Sequence, residues 1–188
     1  MTLPALDATV WRLVIALGVF LAASHAYRKL SPYFAINWFG AGLLFGFLWA
    51  GGRSSPEVSL LPVLVFYIAA AVTKGLVETR QGLAGNHVVH VLLTAVLGAV
   101  VALPAEAVCR TEGFALVRDN AGALWGVPAL GGVPFGAVVD WTLGAGLFYG
   151  AYKVLDHTGL QQGALQTVLL FAGMPFLVHA ADALRAML

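Results

Sequence analysis

Two carboxyl groups lie inside long apolar stretches: Asp140 in FGAVVDWTLGAGLFYG (residues 135–150) and Glu106 in LPAEAVCRTEG (residues 103–113). A charge inside a bilayer costs several kcal/mol, so such a residue usually faces the interior of a helical bundle and serves a function. Poor hydration favours the neutral carboxylic acid, which can donate a proton. We therefore predict that Asp140 and Glu106 are catalytic, with Asp140 as the proton donor and Glu106 as its ionised neighbour.

Both acids also have a structural interpretation. Asp140 could make a buried hydrogen bond to a neighbouring helix, and Glu106 has Arg110 as its i+4 partner on the same helix. A further polar group shares one helix face at a spacing of three residues: His179, Asp182 and Arg185. This group could be a structural pair near the membrane interface or part of a catalytic site, and the sequence leaves both alternatives open.

Aromatic residues close to the two acids could line a pocket for a cationic intermediate, because the faces of aromatic rings attract cations. The predicted substrate-binding residues are four aromatic residues and one histidine: Trp141, Trp125, Trp49, Phe135 and His179. The alternative is an aromatic belt at the membrane interface combined with core packing.

Other ionisable residues favour a structural interpretation. His87 and His90 have i, i+3 spacing, and imidazole can ligate zinc or haem iron, but histidine is also common at helix ends. Lys74 and Glu78 can neutralise each other at i, i+4. Because no zinc, phosphate-loop or dinucleotide motif occurs, we predict no metal site and no cofactor.

The composition is typical of an integral membrane protein. The 188 residues are 60% hydrophobic and 10% charged, whereas soluble domains carry about 25% charged residues. The formal net charge of +1 gives no electrostatic footprint for nucleic acid, so none is predicted as a partner. The expected partners are membrane lipids and a hydrophobic substrate of lipid or isoprenoid type. Whether the chain forms a homo- or hetero-oligomer is left open. The single cysteine, Cys109, cannot form an intramolecular disulfide.

An all-α fold with about six transmembrane helices follows from the apolar stretches, because about 20 such residues cross a bilayer. The predicted spans are 9–27, 33–50, 60–78, 87–108, 133–154 and 164–184. Most connections are short and rich in turn residues, so consecutive helices should pack antiparallel in one domain, 1–188. Lys and Arg residues are balanced between the two sides, five against five, so the multi-pass orientation is not predicted.

The connection at residues 109–132 is unusually long for so small a protein. It mixes charges with apolar residues, which fits either an amphipathic loop at the lipid headgroups or a lid over one end of the bundle. In the second interpretation Trp125 points inward. Either way the connection should bring the helix ends that carry Glu106 and Asp140 close together.

Residues 104–141, PAEAVCRTEGFALVRDNAGALWGVPALGGVPFGAVVDW, combine a glutamate that closes one span, a Gly-Val-Pro stretch and an Asp-Trp pair that opens the next. This order resembles small all-helical membrane proteins of isoprenoid metabolism: membrane carotenoid hydratases, non-flavin lycopene cyclases and membrane-bound terpene cyclases. The resemblance implies embedded acids, here Glu106 and Asp140, acting on a prenyl or carotenoid substrate. The chain departs from these families in its Asp-Trp pair and in lacking a Pro-x-Glu-Glu motif.

The expected function is therefore an integral membrane enzyme that acts by acid catalysis on an isoprenoid-like lipid, which it cyclises or hydrates through a carbocation. Two alternatives remain. One is a non-catalytic membrane subunit or assembly factor, in which the acids hold helices together. The other is a small proton-coupled transporter, which the sequence favours less because it contains no evident inverted repeat.

Overall fold

The computed structural model describes residues 36–49, 56–80, 85–111, 115–117, 123–157 and 164–187. Regular structure in these ranges is helical, apart from an isolated β-bridge between Pro128 and Pro134. The longer helices are α1 (Ala41–Trp49), α2 (Pro56–Glu78), α3 (His87–Thr111), α4 (Phe135–His157) and α5 (Ala164–Arg185), and a π-helical turn, Ile36–Gly40, leads into α1. The all-α prediction is confirmed for this part of the chain, whereas the predicted span 9–27 lies outside the described residues.

Within the described ranges, three helical stretches are long and apolar enough to cross a membrane: Ser59–Val77, His87–Thr111 and Ala164–Arg185. The outer face of α3 shows the matching surface. Val88, Leu92, Val96 and Val100 follow one another at four-residue spacing, and each is more than half exposed. An apolar stripe of this length on a water-facing helix would be unusual, so the surface is consistent with a membrane protein.

The five described helices form a closed ring. Each packs against the next along the chain, α5 returns to α1, and α2 also contacts α4. Consecutive helices run antiparallel, as predicted; α3 and α4 do so across the long connection, since Gly98 faces Ala145 and the later residue Glu106 meets the earlier residue Trp141. Consequently Trp49, Glu106, Asp140 and Arg185 all lie at one end of the bundle, which we call the Trp49 end.

Aromatic side chains fill the centre of the helical bundle. Trp38, from the π-helical turn, makes edge contacts with Phe148 and Tyr152 of α4 at centroid distances of 5.2 and 5.0 Å. Phe66 of α2 stacks on Phe148 at 5.7 Å and meets Trp141 edge-on at 6.1 Å. Such offset and edge geometries are the favourable ones for aromatic pairs, so they stabilise the position of α4 between its neighbours.

Small residues let the helices approach closely. A side chain at Gly46 of α1 would collide with the backbone oxygen of Ser59 in α2, and one at Gly98 of α3 would collide with Ala145 in α4. Both contacts involve atoms that cannot easily move. These glycines therefore set the separation of the α1–α2 and α3–α4 pairs.

Local chemistry shifts the helix ends from the predicted spans by a few residues. Pro56 opens α2 ahead of the predicted residue 60, because proline suits the first helical turn. Asn86 caps α3: its side-chain oxygen accepts the backbone N–H of Val89 at 3.2 Å. At the other end α3 continues through Thr111, so residues 109–111 are helical and the irregular connection starts later than predicted.

The described parts of the connection after α3 pack onto the Trp49 end. Leu116 and Val117 are buried although they lie outside any helix. A short 3-10 turn, Ala123–Gly126, contacts α4, and the following turn, Leu130–Gly132, contacts α3. Gly131 and Gly132 adopt φ of 68° and 76°, which glycine tolerates best. The described parts of the connection therefore pack over this end of the bundle.

Candidate functional site

Asp140 lies in the second turn of α4 and is 2% exposed. Its Oδ1 atom accepts a hydrogen bond from Nε of Arg185, at the end of α5, at 2.7 Å. The same guanidinium donates through Nη1 to Oδ1 of Asp182, also at 2.7 Å, and Asp182 is largely exposed. Two carboxylates therefore share one guanidinium, and the three side chains form a cluster that carries one net negative charge.

Trp49, the last residue of α1, completes this cluster. The guanidinium carbon of Arg185 lies 4.0 Å from the centroid of the indole ring. This separation is typical of a cation–π interaction, which is stronger where water is excluded. Arg185 is therefore held by an aromatic face from α1 as well as by carboxylates from α4 and from its own helix.

One atom on each side of the ion pair has no hydrogen-bond partner among the described residues. These atoms are Oδ2 of Asp140 and Nη2 of Arg185, and both are buried. Buried polar atoms are nearly always paired, because an unmade hydrogen bond costs about 1–3 kcal/mol. Such exceptions are informative, since they identify positions where a ligand or an ordered water is needed.

Glu106, in contrast, is fully engaged. It has no exposed surface and accepts hydrogen bonds from Nε of Arg110 at 2.9 Å and from Nε1 of Trp141 at 3.2 Å. The backbone N–H of Leu116 donates to the same carboxylate. The Glu106 junction, formed by Glu106, Arg110, Trp141 and Leu116, thus joins α3, α4 and the connection between them.

The two acids are close in the fold but do not share one site. Asp140 and Trp141 are neighbours in α4, yet Asp140 pairs with α5 and Trp141 bonds to Glu106 on α3. Each carboxylate has its own guanidinium. The Glu106–Arg110 pair matches the i, i+4 alternative, but Glu106 is buried rather than reaching toward headgroups.

The predicted substrate-binding residues divide into two groups. Trp49 and Trp141 belong to the two ion-pair clusters, and Trp125 packs with its ring over Gly136, 2.5 Å from where a Cβ would lie. Trp125 is therefore directed onto α4. Phe135 is 43% exposed and His179 is exposed, so the structure does not bring these two to the buried clusters.

Two important residues were not singled out from the sequence. Arg185 appeared only as the continuation of the face that carries His179 and Asp182, although it is the partner of Asp140. The sequence feature that could have indicated this pairing is the position of Arg185, in the last turn of a helix that ends on the same side of the bundle as Asp140. Leu116 gave no signal, because a backbone donor leaves no trace in residue type.

A further polar cluster lies at the opposite end of the bundle. Asn37, in the π-helical turn, donates to the side-chain oxygen of Gln166 at 2.9 Å and accepts a bond from the hydroxyl group of Thr167. These bonds join the start of α1 to the start of α5. No group of three His, Cys, Asp or Glu side chains arranged for a metal ion occurs within the described ranges.

Comparisons with protein-family models, with curated proteins and with solved structures yield no match for this chain. The resemblance of residues 104–141 to membrane proteins of isoprenoid metabolism therefore stays a prediction.

Proposed function

We propose that this chain is a multi-pass membrane enzyme that acts by acid catalysis on an isoprenoid-like lipid, with Asp140 as the proton-transferring group. The observation that carries the proposal is the state of Asp140: a buried carboxylate in an aromatic bundle, paired through one oxygen and unpartnered at the other. A purely structural ion pair would normally use both oxygens.

The geometry suggests how the acid would work. Asp140 as a neutral acid transfers a proton from its carboxyl group to the substrate, and a carbocation forms. The carboxylate left behind is the form that pairs with Arg185, so the observed ion pair corresponds to the state after transfer. Since Asp182 also pairs with Arg185, the guanidinium keeps a partner when Asp140 is protonated.

Aromatic rings around this position suit the proposed intermediate. Trp49 contacts Arg185, and Phe66 and Trp141 pack edge-on against each other in the core. Ring faces stabilise cations, and a dry environment protects a reactive carbocation from premature reaction with water. Glu106, whose carboxylate is already engaged by three donors, would position Trp141 rather than transfer protons.

The test of this function is turnover by Asp140→Asn. The purified protein would be assayed with a panel of prenyl and carotenoid substrates, with Thr142→Val as a matched control. Thr142 lies on the same helix, and its hydroxyl group donates to the backbone oxygen of Val138 at 2.9 Å. We expect turnover to be lost in Asp140→Asn and retained in Thr142→Val. Wild-type turnover in Asp140→Asn would remove Asp140 from the mechanism.

The membrane topology is part of the same proposal. About six spans are proposed, which would place both termini on one side of the membrane. Tags at the two ends of the chain should therefore show the same protease accessibility in sealed vesicles. Tags on opposite sides would contradict the six-span topology.

A non-catalytic membrane subunit is the second candidate, and the Glu106 junction favours it. The donors to Glu106 come from α3, α4 and the connection, so this buried carboxylate holds the three segments together. Under this alternative no member of the substrate panel is turned over by the wild type, and Asp140→Asn changes only stability.

A further inference from the structure

We propose that Oδ2 of Asp140 and Nη2 of Arg185 together bind the hydroxyl group of a neutral lipid alcohol. This inference rests on the proposed function and names its substrate class: a prenyl-type alcohol rather than a prenyl phosphate or a hydrocarbon. The two atoms belong to one ion pair and are both buried without a partner. Asp140 itself is more than nine-tenths buried, so the unused acceptor is enclosed by protein.

The chemistry of the two unpartnered atoms selects a hydroxyl group. Nη2 can only donate, and Oδ2 of the carboxylate can only accept, so the complementary ligand must offer an acceptor and a donor at once. A hydroxyl group does both with a single oxygen. With Asp140 ionised, as in the observed ion pair, an ether or epoxide oxygen would leave Oδ2 unsatisfied, and a hydrocarbon would leave both atoms unsatisfied.

Charge excludes an anionic head at the same place. The described ion-pair clusters at the Trp49 end contain three carboxylates, on Glu106, Asp140 and Asp182, and two guanidinium groups, on Arg110 and Arg185. The sum is one net negative charge. Because Arg185 already serves two carboxylates, a phosphate or diphosphate would meet repulsion in a poorly hydrated site.

The hydroxyl group suits both protonation states of Asp140: it donates to Oδ2 of the carboxylate, and its oxygen accepts from Oδ2–H when Asp140 is the neutral acid. Transfer of the carboxyl proton to the hydroxyl oxygen breaks the C–O bond, releases water and leaves an allylic carbocation on the substrate. Asp140 becomes the carboxylate and pairs with Arg185. The step therefore consumes one alcohol, forms one water and one carbocation, and needs no oxidant or reductant.

Three probes of equal chain length test the site: a C20 allylic prenyl alcohol, its diphosphate and the corresponding hydrocarbon. Their affinities for the purified protein in nanodiscs would be measured by quenching of tryptophan fluorescence. We expect the alcohol to bind about tenfold or more tightly than the hydrocarbon, as a hydrogen bond to a charged group provides. The diphosphate should bind more weakly than the alcohol.

Variants assign the preference to these two atoms. Asp140→Asn and Arg185→Gln should both reduce the affinity for the alcohol to about the affinity for the hydrocarbon, whereas Thr142→Val should keep the preference for the alcohol. Thermal unfolding of each variant checks that the fold is retained. Equal affinity for alcohol and hydrocarbon in the wild type, or tighter binding of the diphosphate, would overturn the proposal.

The outcomes separate this inference from the proposed function. Alcohol preference without turnover of any substrate keeps the hydroxyl site and removes the enzyme function. Turnover of a hydrocarbon or an epoxide without alcohol preference keeps the enzyme function and removes the hydroxyl site.

Discussion

Glu106 and Asp140 show how differently two buried carboxylates can be satisfied. Glu106 receives donors from a guanidinium group, an indole and a backbone amide, whereas Asp140 receives only Arg185 and keeps one oxygen unpartnered. A fully satisfied polar junction rigidifies its surroundings. A half-satisfied one is the more natural place for a ligand, which is why the functional proposal centres on Asp140.

Removing the carboxylate of Glu106 should destabilise the protein. Glu106→Ala leaves the indole N–H of Trp141 and the amide of Leu116 without their acceptor, so we expect a loss of about 1–3 kcal/mol in the free energy of unfolding. Glu106→Gln should lose less, since its amide oxygen still accepts. The measurement is SDS-induced unfolding in mixed micelles. Asp182→Ala is the control, because a pair with so exposed a carboxylate contributes only about 0–1 kcal/mol. Similar losses for Glu106→Ala and Asp182→Ala would contradict the junction's role.

At the scale of elements, helix packing depends on glycines whose environments differ sharply. Gly46 lies against the backbone of α2, whereas Gly75, on α2 itself, has no heavy atom within 4 Å of the position of a Cβ. The same substitution therefore has opposite consequences at the two positions.

We expect Gly46→Ala to destabilise the protein by about 1–3 kcal/mol, because the new methyl group forces α1 away from α2. Gly75→Ala should be neutral or stabilising by up to about 1 kcal/mol, because alanine restricts the unfolded chain and favours the helix. Unfolding in SDS compares the two variants directly. If Gly46→Ala were as stable as Gly75→Ala, the close approach of α1 and α2 would be refuted.

The positions of the helices could be predicted from apolar stretches and turn residues. The described helices α2 to α5 overlap the predicted spans to within about four residues at each end, and local capping by Asn86 and Pro56 explains where they begin. Three helices in the described part of the chain are long and apolar enough to span a membrane, and the first predicted span lies outside that part, so six spans stay a prediction.

The site was predictable in part. A lone acid in an apolar stretch indicated that Asp140 needs a partner, but the sequence does not say which one. Asp140 and Arg185 are 45 residues apart, and their pairing depends on how α4 and α5 pack. The sequence also suggested that Asp140 and Glu106 share a site, because both lie at helix ends that the connection brings together. It does not show that Asp140 and its neighbour Trp141 point toward different helices.

At the scale of the described bundle, several polar side chains are buried among the aromatic core, and apolar side chains cover the outer face of α3. The buried polar residues include Asn37, Thr94, Glu106, Asp140 and Gln166, while the outer face of α3 consists of valine and leucine. This distribution is consistent with a bundle that is surrounded by lipid.

A spin label placed on the outer face of α3 should therefore report hydrocarbon. In a Cys109→Ser background, a label at Val96→Cys should be more accessible to oxygen than to a water-soluble nickel chelate. A label at Thr111→Cys, at the end of the same helix, should show the reverse. Continuous-wave EPR of the protein in liposomes measures both accessibilities. High nickel accessibility at Val96 would contradict a lipid-facing α3.

The spacing of the ion pairs along the chain bears on biosynthesis. Glu106 meets Arg110 within one helical turn, so its charge is neutralised as soon as α3 forms. Asp140 must wait for Arg185, which is translated 45 residues later. Under the proposed six-span topology α4 is a membrane span, and during that interval it carries an acid without its counter-ion, which disfavours its release into lipid. The insertion machinery would therefore retain α4 until α5 emerges, and the two helices would leave it as a pair.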